Sequence, residues 1–162
     1  MEETRNRYIL LQDCDGRILE RSRPTFGLAS ISRLSWVSKG ELLKALPENE
    51  QPGDTKRIAL RGISTSRIDP RLRIECPKED VTELTLQEAD LLLAISSPTA
   101  RLALFDDEKR LDFGKRLEHG SRVLVQVSGV SDRVQGVVRF KGKLSNAPGT
   151  MFGVELPVSL MP

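Results

Sequence analysis

The sequence predicts an α+β chain that is mostly β, with one or two short helices and a small, incomplete, glycine-rich barrel near its C-terminus. Two observations support this class. Short segments alternate apolar and polar residues, as half-buried strands do. From about residue 117, glycines punctuate the predicted strands, which is typical of a tightly curved barrel. We therefore divide the chain into a β-rich region with short helices, residues 1–116, and a partial barrel, residues 117–162.

Size and charge limit the classes of function. The chain has 162 residues, and 25 Lys+Arg against 23 Asp+Glu give a net charge of +2, which disfavours a nucleic-acid binder on bulk charge. No apolar run approaches the roughly 20 residues of a membrane span, and no signal peptide is visible. We expect a soluble, cytoplasmic protein that does not associate with membranes.

The N-terminal region contains several predicted strands. Residues 7–12 form the first, and the turn residues 13–16 predict a hairpin in which residues 17–20 pair with it. Residues 57–61 and 72–75 alternate as half-buried strands do.

Two capping boxes predict helices in the same region. Residues 38–41 have the Ser-x-x-Glu spacing, so a helix of barely two turns is expected over residues 42–46. Residues 85–88 have the Thr-x-x-Glu spacing and precede apolar residues at helical intervals, which predicts a second helix over residues 86–95, followed by Pro98.

The C-terminal region changes character. Residues 122–127, 134–140 and 151–156 are predicted strands, and residues 129–132 form a turn. The glycines around Val-Arg-Phe-Lys and before Val-Glu-Leu resemble the first half of a CAP-Gly domain, a small SH3-like barrel. The matching residues are Gly136, Val138, Arg139, Phe140, Gly142, Gly149, Met151, Phe152 and Gly153.

Upstream segments add a second resemblance. Residues 8–14, 83–95 and 108–111 are similar to the region that precedes the first CAP-Gly domain in the CYLD family of deubiquitinases. The resemblance implies a non-catalytic protein-interaction module linked to ubiquitin-dependent NF-kappaB regulation. It also implies protein partners, namely acidic C-terminal tails, tubulin or signalling adaptors, and a cytoplasmic, cytoskeleton-associated location.

The barrel departs from the CAP-Gly pattern in two ways. The partner-binding loop and closing strands expected after residue 156 are absent, so we expect an open sheet edge that permits self-association or strand addition. Asn146 and Met151 stand where aromatic residues usually wall the groove, so acidic tails should bind weakly or not at all. Phe140 and Phe152 remain, and we favour the barrel core over ligand binding for both.

Three basic residues alternate along one predicted strand. Arg139, Lys141 and Lys143 would share a face if the strand were regular. Such a face suits acidic partners, and an ordinary solvated strand face explains it equally well.

Catalytic and cofactor chemistry has little support. Cys14 and Cys76 lack a nucleophile motif, and we favour small packed side chains for both. His119 is the only histidine and is expected in a solvated turn. We expect no enzyme activity, no metal site and no cofactor. The alternative function is a nucleic-acid-binding barrel of the KOW or Tudor kind, which the low aromatic content of 4% disfavours.

Overall fold

The computed structural model describes residues 6–19, 32–63 and 68–160, which form two sheets and three α-helices. The strands are β1 (Arg7–Leu10), β2 (Cys14–Leu19), β3 (Ser32–Val37), β4 (Leu42–Ala45), β5 (Arg57–Gly62), β6 (Leu72–Pro77), β7 (Val81–Leu84), β8 (Arg122–Val125), β9 (Val134–Leu144) and β10 (Ala147–Glu155). The helices are α1 (Leu86–Leu93), α2 (Pro98–Asp106) and α3 (Glu108–Arg116). The predicted class is confirmed, but the described residues contain three helices rather than one or two. None of these helices has the length and apolar character that would allow it to cross a membrane.

The first seven strands form a large antiparallel sheet, and the last three form a small one. The large sheet has the order β3-β2-β6-β5-β4-β1-β7, and the small sheet has the order β10-β9-β8. Val37 on β3 and Val81 on β7 belong to one buried apolar cluster, although their strands lie at opposite edges of the large sheet. The large sheet is therefore strongly curled, and no barrel is closed among the described strands.

Helix α1 lies between the two sheets. Its predicted capping box is confirmed: the Glu88 N–H donates to Thr85 Oγ1 at 3.2 Å, and the Thr85 N–H donates to Glu88 Oε2 at 3.0 Å. Leu92 is fully buried in a cluster that includes Ile9 of the large sheet and packs against Phe152 of the small sheet. The helix thus connects the two sheets through one core.

A buried arginine joins α2 to the rest of the molecule. Arg101 is 3% exposed. Its Nε donates to the carbonyls of Leu92 at 3.2 Å and Ile95 at 2.6 Å, and its Nη1 donates to Glu41 Oε2 at 3.0 Å. These carbonyls lie at the C-terminus of α1, where the last carbonyls of a helix lack the regular helical partners; the Leu92 carbonyl also accepts from the Ile95 N–H at 3.1 Å.

The helix predicted over residues 42–46 is wrong, because these residues include strand β4. Glu41 donates its N–H to the Ser38 carbonyl at 3.2 Å, and Gly40 has a φ of 88°, so residues 38–41 form a turn that cannot begin a helix. Leu42 and Leu43 then belong to different apolar clusters. Consecutive residues point to opposite faces in a strand, which allows both to be buried.

The predicted N-terminal hairpin is also wrong. Strand β1 pairs with β4 on one side and with β7 on the other, so neither edge is free for β2. Strand β2 pairs instead with β3 and β6. Residue 20, the end of the predicted partner strand, lies outside the described residues.

Replacing Arg101 with Met should lower the free energy of unfolding by about 3 kcal/mol, because the largely buried carboxylate of Glu41, 15% exposed, would lose its partner. Arg57→Met is the matched control. Arg57 Nε lies 2.9 Å from Glu75 Oε1, but both side chains are substantially exposed, and exposed pairs contribute about 0–1 kcal/mol. Urea unfolding measures both variants. Equal losses would contradict the role assigned to Arg101.

Glu88, whose carboxylate caps α1, also forms an ion pair with α3. Lys115 Nζ, near the end of α3, lies 2.9 Å from Glu88 Oε1. Burial raises the pKa of Glu88, but hydrogen bonds from the Thr85 main chain and from Lys115 outweigh burial, so the pKa is held below its usual value.

This depressed pKa predicts acid sensitivity. The pair contributes stability above the unfolded pKa of Glu88, about 4.3, and that contribution is lost as pH falls through the lower folded pKa. Glu88→Gln keeps a capping oxygen but removes the charge, so it should be less stable at neutral pH and less pH-dependent from about pH 5 to 3. Urea titrations across this range test the prediction. The exposed Glu79→Gln should behave like the unmodified chain. A steeper acid dependence in Glu88→Gln would contradict the assignment.

Candidate interaction surface of the small sheet

Lys141, predicted to contact partners, caps a helix of its own chain. Its Nζ donates to the carbonyl of Lys115 at 2.9 Å and to that of Leu117 at 2.7 Å, at the C-terminal end of α3. The same Nζ lies 5.7 Å from the centre of the Phe152 ring, within cation–π range. Much of this charge is therefore directed towards α3 rather than towards solvent.

The other two predicted cations form ion pairs within the chain. Lys143 Nζ lies 3.1 Å from Asp90 Oδ2 on α1, and Arg139 Nε lies 2.5 Å from Glu155 Oε2 on β10. Exposed pairs of this kind are weak, so an acidic ligand could compete for either cation. A ligand would nevertheless have to displace an existing partner in both cases.

A β-bulge interrupts the predicted alternation. Phe140 pairs with Gly153 and Val138 pairs with Val154, so Arg139 has no partner residue across β10. An inserted residue reverses which side chains face which side of the strand. The expectation of one uninterrupted basic face therefore fails, and Arg139 lies apart from the two lysines that reach the helices. Partner binding by the three cations stays a prediction.

Two glycines of the predicted motif serve packing. Gly149 is buried with a φ of 79°, and a Cβ there would lie 2.4 Å from both the Asp90 carbonyl oxygen and the Ala94 nitrogen. Gly149 thus allows β10 to contact the backbone of α1. A Cβ at Gly136 would lie 2.5 Å from Val154 Cγ1 across the strand pair. Neither position has room for a side chain.

The two phenylalanines of the motif lie in different surroundings. Phe152 packs against the cluster that contains α1, as predicted. Phe140 is 42% exposed and lies against Gly142 and Gly153, so its predicted place in the core is wrong. Met151 pairs with Gly142 and is half-buried.

An apolar groove separates the small sheet from the helices. It has a volume of about 440 Å³, and Val138 on β9 and Leu104 on α2 contribute to its walls. Phe113 and Leu124 line its outer part and are 49% and 66% exposed. Exposed apolar side chains beside a groove are typical of a binding surface.

The two thiols are poor nucleophiles. Burial, followed by the nearby Asp15 carboxylate, raises the pKa of Cys14. Burial raises the pKa of Cys76 to about 11, with a further contribution from Cys14. A thiol with a raised pKa holds little of the reactive thiolate at neutral pH. His119 is exposed in a turn, as predicted, and the described residues hold no cluster of potential metal ligands.

Sequence reasoning missed the cations beside this apolar groove. Lys109, Arg110, Arg122 and Arg133 are exposed, and none of them takes part in an ion pair among the described residues. Two of them lie on α3, which was not predicted. The available signal was Asp107, whose Oδ1 accepts from the Arg110 N–H at 3.1 Å as a helix cap.

Comparison with known proteins places the chain in a family. Residues 27–114 match a family model described as the CYLD SH3 domain, and this segment is more than half of the 162 residues. The chain belongs to the CYLD SH3 domain family. The predicted resemblance to CYLD is thereby confirmed.

Curated CYLD relatives align over most of the chain. Ubiquitin carboxyl-terminal hydrolase CYLD of Mus musculus is 29% identical over 165 residues, and that of Bos taurus is 29% identical over 163 residues. The Homo sapiens protein is 28% identical over 165 residues. Each alignment covers 95% of this chain but only 16% of the relative's length. No solved structure matches the chain significantly.

The CYLD SH3 domain match ends before the glycine-rich strands. It includes the large sheet from β3 onward, α1, α2 and most of α3, and stops at residue 114. The CAP-Gly resemblance of β9 and β10 and the predicted division at residues 116 and 117 therefore stay predictions.

Gly149→Ala should cost about 2–3 kcal/mol more in unfolding free energy than Gly129→Ala. Both glycines have a positive φ, 79° and 81°, so both variants carry similar backbone strain. Only Gly149 touches a helix; a Cβ at Gly129 meets nothing within 4 Å. Thermal unfolding followed by circular dichroism measures the difference. Equal losses would show that the contact between β10 and α1 adds no stability.

Proposed function

We propose that this chain is a non-catalytic protein-interaction module of a CYLD-like deubiquitinase. Membership of the CYLD SH3 domain family is the observation that carries the proposal. Its relatives are ubiquitin carboxyl-terminal hydrolases, and the raised pKa values of Cys14 and Cys76 suit packing rather than nucleophilic catalysis. We assign to the chain recognition of protein partners in ubiquitin-dependent NF-kappaB regulation, in the cytoplasm and at the cytoskeleton.

We further propose that the ligands are acidic protein segments. The CAP-Gly resemblance of the small sheet implies such ligands, namely the tails of tubulin or of signalling adaptors. The arrangement of Arg139, Lys141 and Lys143 supports only weak attraction at β9 and β10, because each cation already has a partner within the chain. Their contribution to binding is therefore electrostatic and salt-sensitive.

A titration of the chain with an acidic peptide that ends in tyrosine tests this proposal. At low salt we expect binding weaker than micromolar affinity, which corresponds to a binding free energy of about 8 kcal/mol. Binding should weaken further at physiological salt. Lys143→Ala should weaken the low-salt binding only slightly, because Asp90 already neutralises this side chain. Isothermal calorimetry measures both.

Salt-resistant binding at micromolar affinity would contradict the weak, electrostatic assignment. If that binding persists in Arg122→Glu, a variant outside β9 and β10, these strands form a working tail-binding groove despite Met151 and Asn146.

A further inference from the structure

We propose that a groove between α3 and the free edge of β8 binds an extended, acidic segment of a partner protein that carries an apolar side chain. This α3–β8 groove has a volume of about 820 Å³. The residues that define it are Lys109, Arg110, Phe113, Arg122, Leu124 and Arg133. The proposal rests on the interaction role proposed above and names the surface and ligand class for it.

Charge is the first reason. Four cations line the groove together with a single carboxylate, that of Asp107. Asp107 Oδ1 is occupied by the main-chain N–H of Arg110. In contrast to Arg139 on the small sheet, none of the four cations has an ion-pair partner among the described residues. Unpaired cations concentrated in one concave surface attract an acidic ligand without the loss of an existing pair.

The free strand edge is the second reason. Strand β8 pairs only with β9 among the described strands. The Val138 N–H donates to the Ser121 carbonyl at 2.8 Å, and antiparallel strands alternate bonded and non-bonded pairs. The main-chain groups of Arg122 and Leu124 therefore point away from β9. An extended peptide can add to this edge by main-chain hydrogen bonds.

Apolar surface is the third reason. Phe113 and Leu124 line both the α3–β8 groove and the 440 Å³ apolar groove, so the two spaces adjoin at these side chains. Along an extended peptide, successive side chains point to opposite sides. Acidic side chains could therefore contact the cations while an apolar neighbour enters the space beside Phe113.

Other occupants fit less well. A second copy added at the same edge would bring two sets of four cations together, and like charges across paired strands are destabilising. A nucleic-acid strand would meet only one aromatic side chain, Phe113, in the lining, whereas such sites use several for base stacking.

Fluorescence anisotropy with a labelled ten-residue peptide tests the proposal. The probe alternates Glu and Val, and its C-terminus is amidated so that no terminal carboxylate contributes. We expect saturable binding to the 162-residue chain. Arg110→Glu and Arg122→Glu should each weaken it about tenfold, since each replaces an attraction by a repulsion. Arg17→Glu makes the same charge change at an exposed residue of the large sheet and should leave binding unchanged.

The main-chain contact has its own test. Two further probes carry N-methyl groups on the odd or on the even residues, which removes alternate N–H donors without altering the protein. One of the two should lose binding and the other should retain it, because only one row of N–H groups faces β8. Equal binding of both probes would overturn strand addition.

The remaining outcomes separate this proposal from the interaction role. Binding of the Glu-Val probe that survives in Arg110→Glu and Arg122→Glu, or no binding to the unmodified chain, would overturn the groove. The tail titration described above, repeated with Arg122→Glu so that the α3–β8 groove is weakened, tests tail binding at β9 and β10 separately. If a ten-nucleotide oligothymidine bound more tightly than the Glu-Val probe, and this binding were lost in Arg122→Glu, the groove would be assigned to nucleic acid. A dimer in sedimentation whose dissociation constant changes in the same variant would assign the groove to a second copy.

Discussion

The buried guanidinium of Arg101 determines how the helices sit on the large sheet. A buried charge is tolerated only where hydrogen bonds and an opposite charge replace water. Here the carbonyls of Leu92 and Ile95 and the carboxylate of Glu41 meet that need together. The C-terminus of α1, the body of α2 and the turn before β4 are therefore fixed relative to one another. The small sheet in turn packs on α1, because Gly149 of β10 lies directly against the α1 backbone.

A lysine repeats this arrangement on α3. Lys141 from β9 caps the C-terminus of α3, as Arg101 from α2 caps that of α1. In both cases a cation meets the negative end of a helix, where it also complements the helix dipole. Basic residues of this chain therefore divide into those that stabilise the fold and those left unpaired. The second group includes Lys109, Arg110, Arg122 and Arg133, which line one groove beside α3 and β8 and present their full charge to a ligand.

The sequence predicted the elements whose signals are local. The capping box of α1 needs only Thr85 and Glu88, and the alternation of residues 57–61 is enough to predict a strand, although Ala59 between Ile58 and Leu60 is also buried. Prediction from the sequence failed where contacts between distant residues determine the secondary structure. Residues 42–46 carry helix-like apolar spacing, yet burial on both faces of a curled sheet makes them part of a strand. Helix α3 carries only two apolar side chains, Leu111 and Phe113, and its position depends on partners such as Glu88. The bulge at Arg139 arises from the pairing of β9 with β10, and no residue of β9 alone predicts it.

The glycine pattern illustrates why a motif and a binding site are separate questions. A glycine kept for close approach of a ligand would have open space above it, whereas Gly136 and Gly149 are closed off by the chain's own atoms. Packing alone therefore accounts for these two motif positions, whether or not an acidic tail ever binds. Recognition has to be sought where side chains lack internal partners. By this criterion, the cations and exposed apolar residues of α3 and β8 are a better candidate binding surface than the glycine-rich strands.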